Sequence, residues 1–422
     1  MAFPFIPTAT GHWLKIKLPT ERLRRLSYVH TFQAYRYRRF QARRIDQANM
    51  GLLRLALALF VVQAHAGAVS GLALLPTLDG REAVQIFYVI SGFYMSLILN
   101  RKYIGSAGRW LFYSNRFFRL WPPYIVVIVA ATIALYLLGQ ACHFDCPSSL
   151  SEVFAKFRRF GLATQAYLLL TNIFIVGQDF LWLIRIDDSG AIHFAPYMVS
   201  AQHNGFSFSI NPPIFTVAIE TSFYVVAPFI LCRRAAAIGF MLSGAGYHVL
   251  IHALGSNNLA FSYHIFLSAA YFFGLGAISY QAFDLLESLR GHTDSSASAK
   301  WAEFACVLLG SCVLLASWRM GNERIFFLAI ATMLLMPTLF RITKGIAIDR
   351  FFGELSYGVY IAHWPIILIA QAAYAPKAVG ANLVAGASIL LAMLLYVVLE
   401  KPIDEWRQRR VLAAGHPPHR SG

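Results

Sequence analysis

The sequence predicts an all-α fold, a polytopic transmembrane helix bundle of about ten spans with both termini in the cytoplasm. Three observations predict it. Of the 422 residues, 58% are hydrophobic and only 13% charged, against about 25% charged in an ordinary soluble domain. The apolar residues fall in unbroken runs near the ~20 residues that a helix needs to cross a bilayer core, not in the short alternating segments of a barrel. Lys and Arg are divided unevenly between the two faces such spans define: 27 of 36 fall on the side of the N-terminus and 8 on the other, with Arg54 inside the first run. That is a positive-inside pattern. A disordered chain, a disulfide scaffold and an ordinary cytosolic enzyme are excluded.

The expected elements follow in order. Residues 1–50 form a basic arm; YVHTFQAYRYRRFQARR mixes aromatics with arginines, as a helix lying on an anionic membrane surface does. No cleavable signal peptide is expected, because the first long apolar run begins near Gly51. Spans are expected at 51–70, 83–100, 120–139, 213–232, 236–254, 261–282, 302–318, 325–342, 356–374 and 381–399. Together they make a transmembrane domain over 51–400. Residues 140–212 form a large outer loop with structure of its own. Within it, 160–176 is apolar but short and holds Gln165, Thr171 and Asn172. It is expected to be re-entrant or interfacial, because a crossing there would place later basic loops outside. Residues 401–422 are expected as a polar, frayed cytoplasmic tail.

The net charge of +16 and pI near 9.8 would point to nucleic acid in a soluble protein. Here they are read as cytoplasmic loops facing anionic membrane lipids, with no nucleic-acid partner. Five cysteines show no CxxC…CxxC pattern, so no metal site is expected. Cys142 and Cys146 share a polar loop that an oxidising compartment could bridge; Cys232, Cys306 and Cys312 read as packing residues.

Ionisable groups at membrane depth are expensive, so each is a functional candidate. Arg54 and His65 are eleven residues apart, roughly 20° past three full turns, and share one face of the first span, about 16 Å apart along its axis. Arg54 also fits snorkelling, and His65 a core hydrogen bond. Arg116 and Arg119 share a face at i, i+3 and can fork a phosphate, or simply anchor the chain inside. Pro122 suits the first turn of the following span. Glu220 needs a partner or a proton at depth: it orients an imidazole, holds a substrate hydroxyl, or forms a structural ion pair. Gly92 permits close helix approach, and Ser91 beside it can bond locally. His363, before Pro365 and near Tyr357 and Tyr360, either lines a cavity or makes a packed polar contact.

Taken in order, these elements resemble the integral-membrane acyltransferase family 3, O-acyltransferases of bacterial polysaccharides and other glycans. The marks are Arg54-x10-His65, IFYVISGFYMS at 86–96, NRFFRLWPPY at 115–124, FTVAIETSFY at 215–224, SYGVYIAHWP at 356–365 and VLEKP at 398–402. They cover most of 48–405. The sequence departs from the family at Gln85, usually acidic, and at Phe215-Thr216, often Trp-Ser. No hydrolase-like domain is expected after the last span, so the bundle or another protein completes any acyl relay.

The resemblance implies a multi-pass enzyme of the cell inner membrane. It would transfer an acyl group, in the first instance acetyl, from cytoplasmic acetyl-CoA as co-substrate to a hydroxyl of an exported or lipid-linked glycan. Arg54, Arg116 and Arg119 would bind the acyl-CoA. His65 would act as general base or as acyl carrier, Glu220 would orient the imidazole or the sugar, and Ser91, Tyr357 and His363 are substrate or oxyanion candidates. No permanently bound cofactor is expected, and a homo-oligomer is left open. The alternative is a transporter or flippase for a glycan or anionic solute.

Overall fold

The computed structural model describes residues 6–7, 13–14, 50–69, 78–103, 106–141, 155–196, 204–256, 258–290, 296–321, 323–373 and 380–414. The chain divides into two compact units, Met1–Asp46 and Gln47–Gly422. In the first, β1 (Ile6–Pro7) pairs antiparallel with β2 (Trp13–Leu14). The rest of the basic arm, Cys142 and Cys146 lie outside the described residues.

The second unit is all-α apart from one small hairpin. Its α-helices of more than four residues are α1 (Gly51–Ala66), α2 (Gly80–Arg101), α3 (Ser106–Ala141), α4 (Leu162–Phe174), α5 (Phe215–Ile230), α6 (Arg234–Ala253), α7 (Phe266–Arg290), α8 (Ser296–Ser317), α9 (Arg324–Thr343), α10 (Ala347–Ala373), α11 (Ala381–Leu395) and α12 (Lys401–Ala414). Among the described residues nine helices are long and apolar enough to cross a membrane, and the molecule is a multi-pass membrane protein. Each of these nine falls on an expected span. The tenth, α1, is 16 residues long, roughly 24 Å against a ~30 Å core. It stops early because Gly67, at φ 93°, turns the chain out of the helix, leaving His65 in the last turn.

α2, α5, α7 and α10 are the enclosed helices, and α6 and α8 are peripheral. α2 and α7 cross at Gly92 and Gly276, where a Cβ would lie 2.0 Å from the Phe273 carbonyl oxygen and 1.9 Å from that of Val89. The close approach expected of Gly92 is thus made against the backbone of Phe273, and Gly276 answers it against that of Val89. Phe273 then stacks on Phe223 of α5 at 4.0 Å. Cys232 and Cys312 lie exposed on the bundle surface, not packed inside it, and Cys306 is half-buried.

α1 and α10 run parallel and in register. The Gly51 N–H donates to Asp349 Oδ2 at 2.8 Å, and His65 meets His363 at the far end. Both pairs are offset by 298 residues. Met50 offers no capping side chain, so the orphan N–H groups of α1 are satisfied from outside: Leu52 donates to Asp349 Oδ1 at 2.9 Å and Met50 to Thr343 Oγ1 at 3.0 Å.

Two expectations change. Pro122 and Pro123 do not open a helix but lie inside α3, which runs 36 residues. Residues on both sides of the prolines are tied to neighbours: Arg119 to Glu354, Leu120 to Tyr357 and Tyr124 to Asn172. The frayed tail is instead helix α12 as far as Ala414. A wider π turn, Tyr396–Glu400, precedes Pro402 and makes room for a ring that an α turn would crowd. Trp406 then packs on Phe118 at 5.0 Å.

The loop between α3 and α5 has its own core of Phe160, Leu168, Leu181, Ile186 and Phe208. α4 is 13 residues long and its end meets α3: the Trp121 Nε1–H donates to the Ile173 carbonyl at 2.9 Å and the Tyr124 hydroxyl to that of Asn172 at 2.7 Å. The chain turns back at Ile175, φ 69°, a strained value for a β-branched residue. β3 (Ile184–Ile186) and β4 (Ile192–Phe194) form the hairpin. Its turn is held by Asp187, which accepts from Ser189 Oγ at 2.6 Å and from the Ala191 N–H at 3.0 Å. The Ser189 hydroxyl, then His193, hold the Asp187 carboxyl well below its usual range.

Candidate active site

The functional side chains fall at three levels along α10. Glu354, Tyr357, Tyr360 and His363 recur every third residue, so the levels span roughly 14 Å. Glu354 and Tyr357 meet α3, Tyr360 meets the turn that opens α5, and His363 meets α1.

At one end are the arginines. Arg119 Nη1 pairs with Glu354 Oε2 at 3.0 Å. Arg54 lies against Gly353, its Nη1 3.4 Å from where a Cβ would stand, and its charge also acts on Glu354. The Arg116 guanidinium sits 5.9 Å from the Tyr224 ring centre. Arg54, Arg116 and Arg119 are therefore brought together, with one of them already paired to a carboxylate that sequence reasoning passed over. The available signal for Glu354 was an acid two residues before SYGVYIAHWP.

In the middle, Glu220 accepts from the Ser91 hydroxyl and from the Tyr224 hydroxyl at 2.6 Å. The Tyr357 hydroxyl donates to the Leu120 carbonyl at 2.7 Å. Tyr360 Oη lies 2.8 Å from the Pro213 carbonyl and 2.5 Å from Thr216 Oγ1. These contacts correct three expectations. Ser91 and Tyr357 have spent their protons on protein acceptors, so neither is a ready oxyanion donor. Glu220 binds two hydroxyls and is not what orients the imidazole.

At the far end is a histidine pair. His363 is fully buried. Its Nδ1 lies 2.6 Å from the Tyr360 carbonyl, and its Nε2 lies 3.2 Å from His65 Nδ1. The rings stack at 5.2 Å, and Trp364 meets His65 edge-on at 5.5 Å. A carbonyl only accepts, so for neutral rings Nδ1 of His363 carries the proton and Nε2 the lone pair. His65 Nδ1–H then donates to it. The remaining nitrogen, His65 Nε2, is left with a lone pair. His363, expected as a substrate or oxyanion contact, has both nitrogens committed within the protein and holds His65 instead. His65 itself is exposed.

Half-buried arginines at one end, a polar middle and an exposed imidazole at the other lie along one helix pair inside a membrane bundle. The family model for an acyltransferase domain matches residues 47–400. The chain belongs to this family, acyltransferase family 3, and is a membrane acyltransferase. Neither a curated protein nor a solved structure matches it.

Proposed function

We propose that this acyltransferase is an O-acetyltransferase of the cell inner membrane. It carries an acetyl group from cytoplasmic acetyl-CoA to a hydroxyl of an exported or lipid-linked glycan. The arginine end faces the cytoplasm and takes the phosphates of the donor; the pantetheine arm runs past Tyr224, Glu220 and Tyr360 toward His65. There His65 Nε2 accepts the proton of the sugar hydroxyl as its oxygen attacks the thioester carbonyl. The C–O bond forms, the C–S bond breaks, and the imidazolium returns its proton to the departing thiolate. The variant in which the imidazole itself is first acylated uses the same nitrogen. Membrane lipids surround the bundle, and no nucleic acid takes part.

The observation that carries this reading is the chain of contacts from the Tyr360 carbonyl through His363 to His65, at the opposite end of α1 from Arg54. His65→Ala tests it. Lost acyl transfer with normal export of unmodified glycan supports the enzyme reading, whereas lost export of unmodified glycan supports a carrier.

A further inference from the structure

Helix α12 brings arginines to the donor end that no motif marked. Arg407 is only 7% exposed. Its Nη1 pairs with Asp404 at 3.1 Å, while its Nε is buried without a hydrogen-bond partner among the described residues. Arg410 donates from Nη2 to Ser114 Oγ on α3 at 3.1 Å and lies 4.7 Å from the Trp406 ring centre. Its Nη1 is also buried and unpartnered, as are Nε of Arg116 and of Arg350.

These groups belong to one neighbourhood. The charges of Arg116 and Arg119 act on Arg407, those of Arg119 and Arg54 on Glu400, and that of Arg350 on Tyr396 beside them. Six arginines (54, 116, 119, 350, 407 and 410) face four carboxylates. Asp349 is spent on the α1 terminus, Glu354 on Arg119 and Asp404 on Arg407. Glu400 Oε1 is itself buried without a donor among the described residues. Buried guanidinium N–H groups left unfilled, with a surplus of positive charge, are costly unless an anion completes them. The forked, always-charged guanidinium suits phosphate oxygens. Arg119, half of the expected clamp, is already committed to Glu354.

We propose that α12 is one wall of the donor's phosphate site, where Arg407 and Arg410, together with Arg116 and Arg350, bind phosphate oxygens of coenzyme A. The proposal rests on the acyl-CoA reading above. The phosphodiester of an anionic phospholipid offers the same chemistry, and the test separates the two.

The full-length protein is purified in detergent and titrated with coenzyme A. The double variant R407Q/R410Q is expected to bind it roughly tenfold or more weakly, as loss of charge-assisted hydrogen bonds does. R407K/R410K, which keeps the charge and loses the fork, falls between and guards against misfolding. R409Q, on the exposed side of the same helix, binds as wild type. Wild-type affinity in R407Q/R410Q overturns the proposal and leaves the donor reading standing. Absence of coenzyme A binding by the wild type overturns both. Loss of co-purifying anionic phospholipid from R407Q/R410Q, with coenzyme A affinity unchanged, assigns the cluster to lipid and overturns it too.

Discussion

At the residue scale, the pairing of two imidazoles sets what each can do. His363 is enclosed and has one ring nitrogen tied to a carbonyl; the proton order of both rings follows from that single bond. His65→Ala is expected to lower acyl transfer by about 10²-fold or more, the usual worth of a general base, measured as product formed per purified protein. His363→Phe preserves a ring for the stack but removes the acceptor. It is expected to lower kcat roughly 10- to 100-fold, with the donor KM and melting temperature little changed. A purely structural role would move the melting temperature instead. Arg54 and His65 were legible because a helical period puts them on one face. The partnership of His65 with His363 was not, because an offset of 298 residues is a tertiary fact that no local period encodes.

At the element scale, α1 depends on a cap it does not carry. Asp349→Ala removes two hydrogen bonds to its first turn, and a loss of about 1–3 kcal/mol is expected in thermal unfolding. Sequence offered an indirect sign of this dependence: Met50 stands where Ser, Thr, Asp or Asn would cap. The loop element has its own pH response. Asp179 is buried, and that burial pushes its carboxyl up to about 6. Folding thus favours the protonated form; that stabilisation is complete below the unfolded value near 4 and is lost as pH rises through about 6. Asp179→Asn should stabilise the loop above pH 6, on the order of 1–3 kcal/mol, and flatten its pH dependence in hydrogen exchange over residues 160–196. Unchanged exchange would mean that Asp179 stays charged. The length of α3 and the helicity of α12 were hidden because prolines and charges read locally as boundaries, whereas contacts with α10 and Phe118 decide otherwise.

At the scale of the whole molecule, the parallel run of α1 and α10 bears on topology. An even number of turns of direction separates parallel spans, and the eight long helices from α2 to α10, less α4, satisfy that count. A crossing by α4 would make α1 and α10 antiparallel. The charge-based orientation then predicts that a cysteine placed at Ser189 is labelled by an impermeant reagent from outside intact spheroplasts. Labelling only after lysis would invert the bundle. The order of spans was legible because hydrophobic length and Lys/Arg placement are properties of the chain itself. The depth reached by α4 was not, because it depends on Trp121 and Tyr124 donating to its last carbonyls.

The same pairing has a consequence for biogenesis. The residues that cap α1 and hold its histidine are made about 300 positions later. At ribosomal speeds of about 5–20 residues per second, the first span waits in the bilayer for roughly 15–60 s before its partner is made. Until then its N–H groups lack the Asp349 carboxylate and its imidazole lacks a fixed proton order. A nascent chain interrupted before residue 349 therefore carries α1 without the carboxylate that caps it and without the partner of His65.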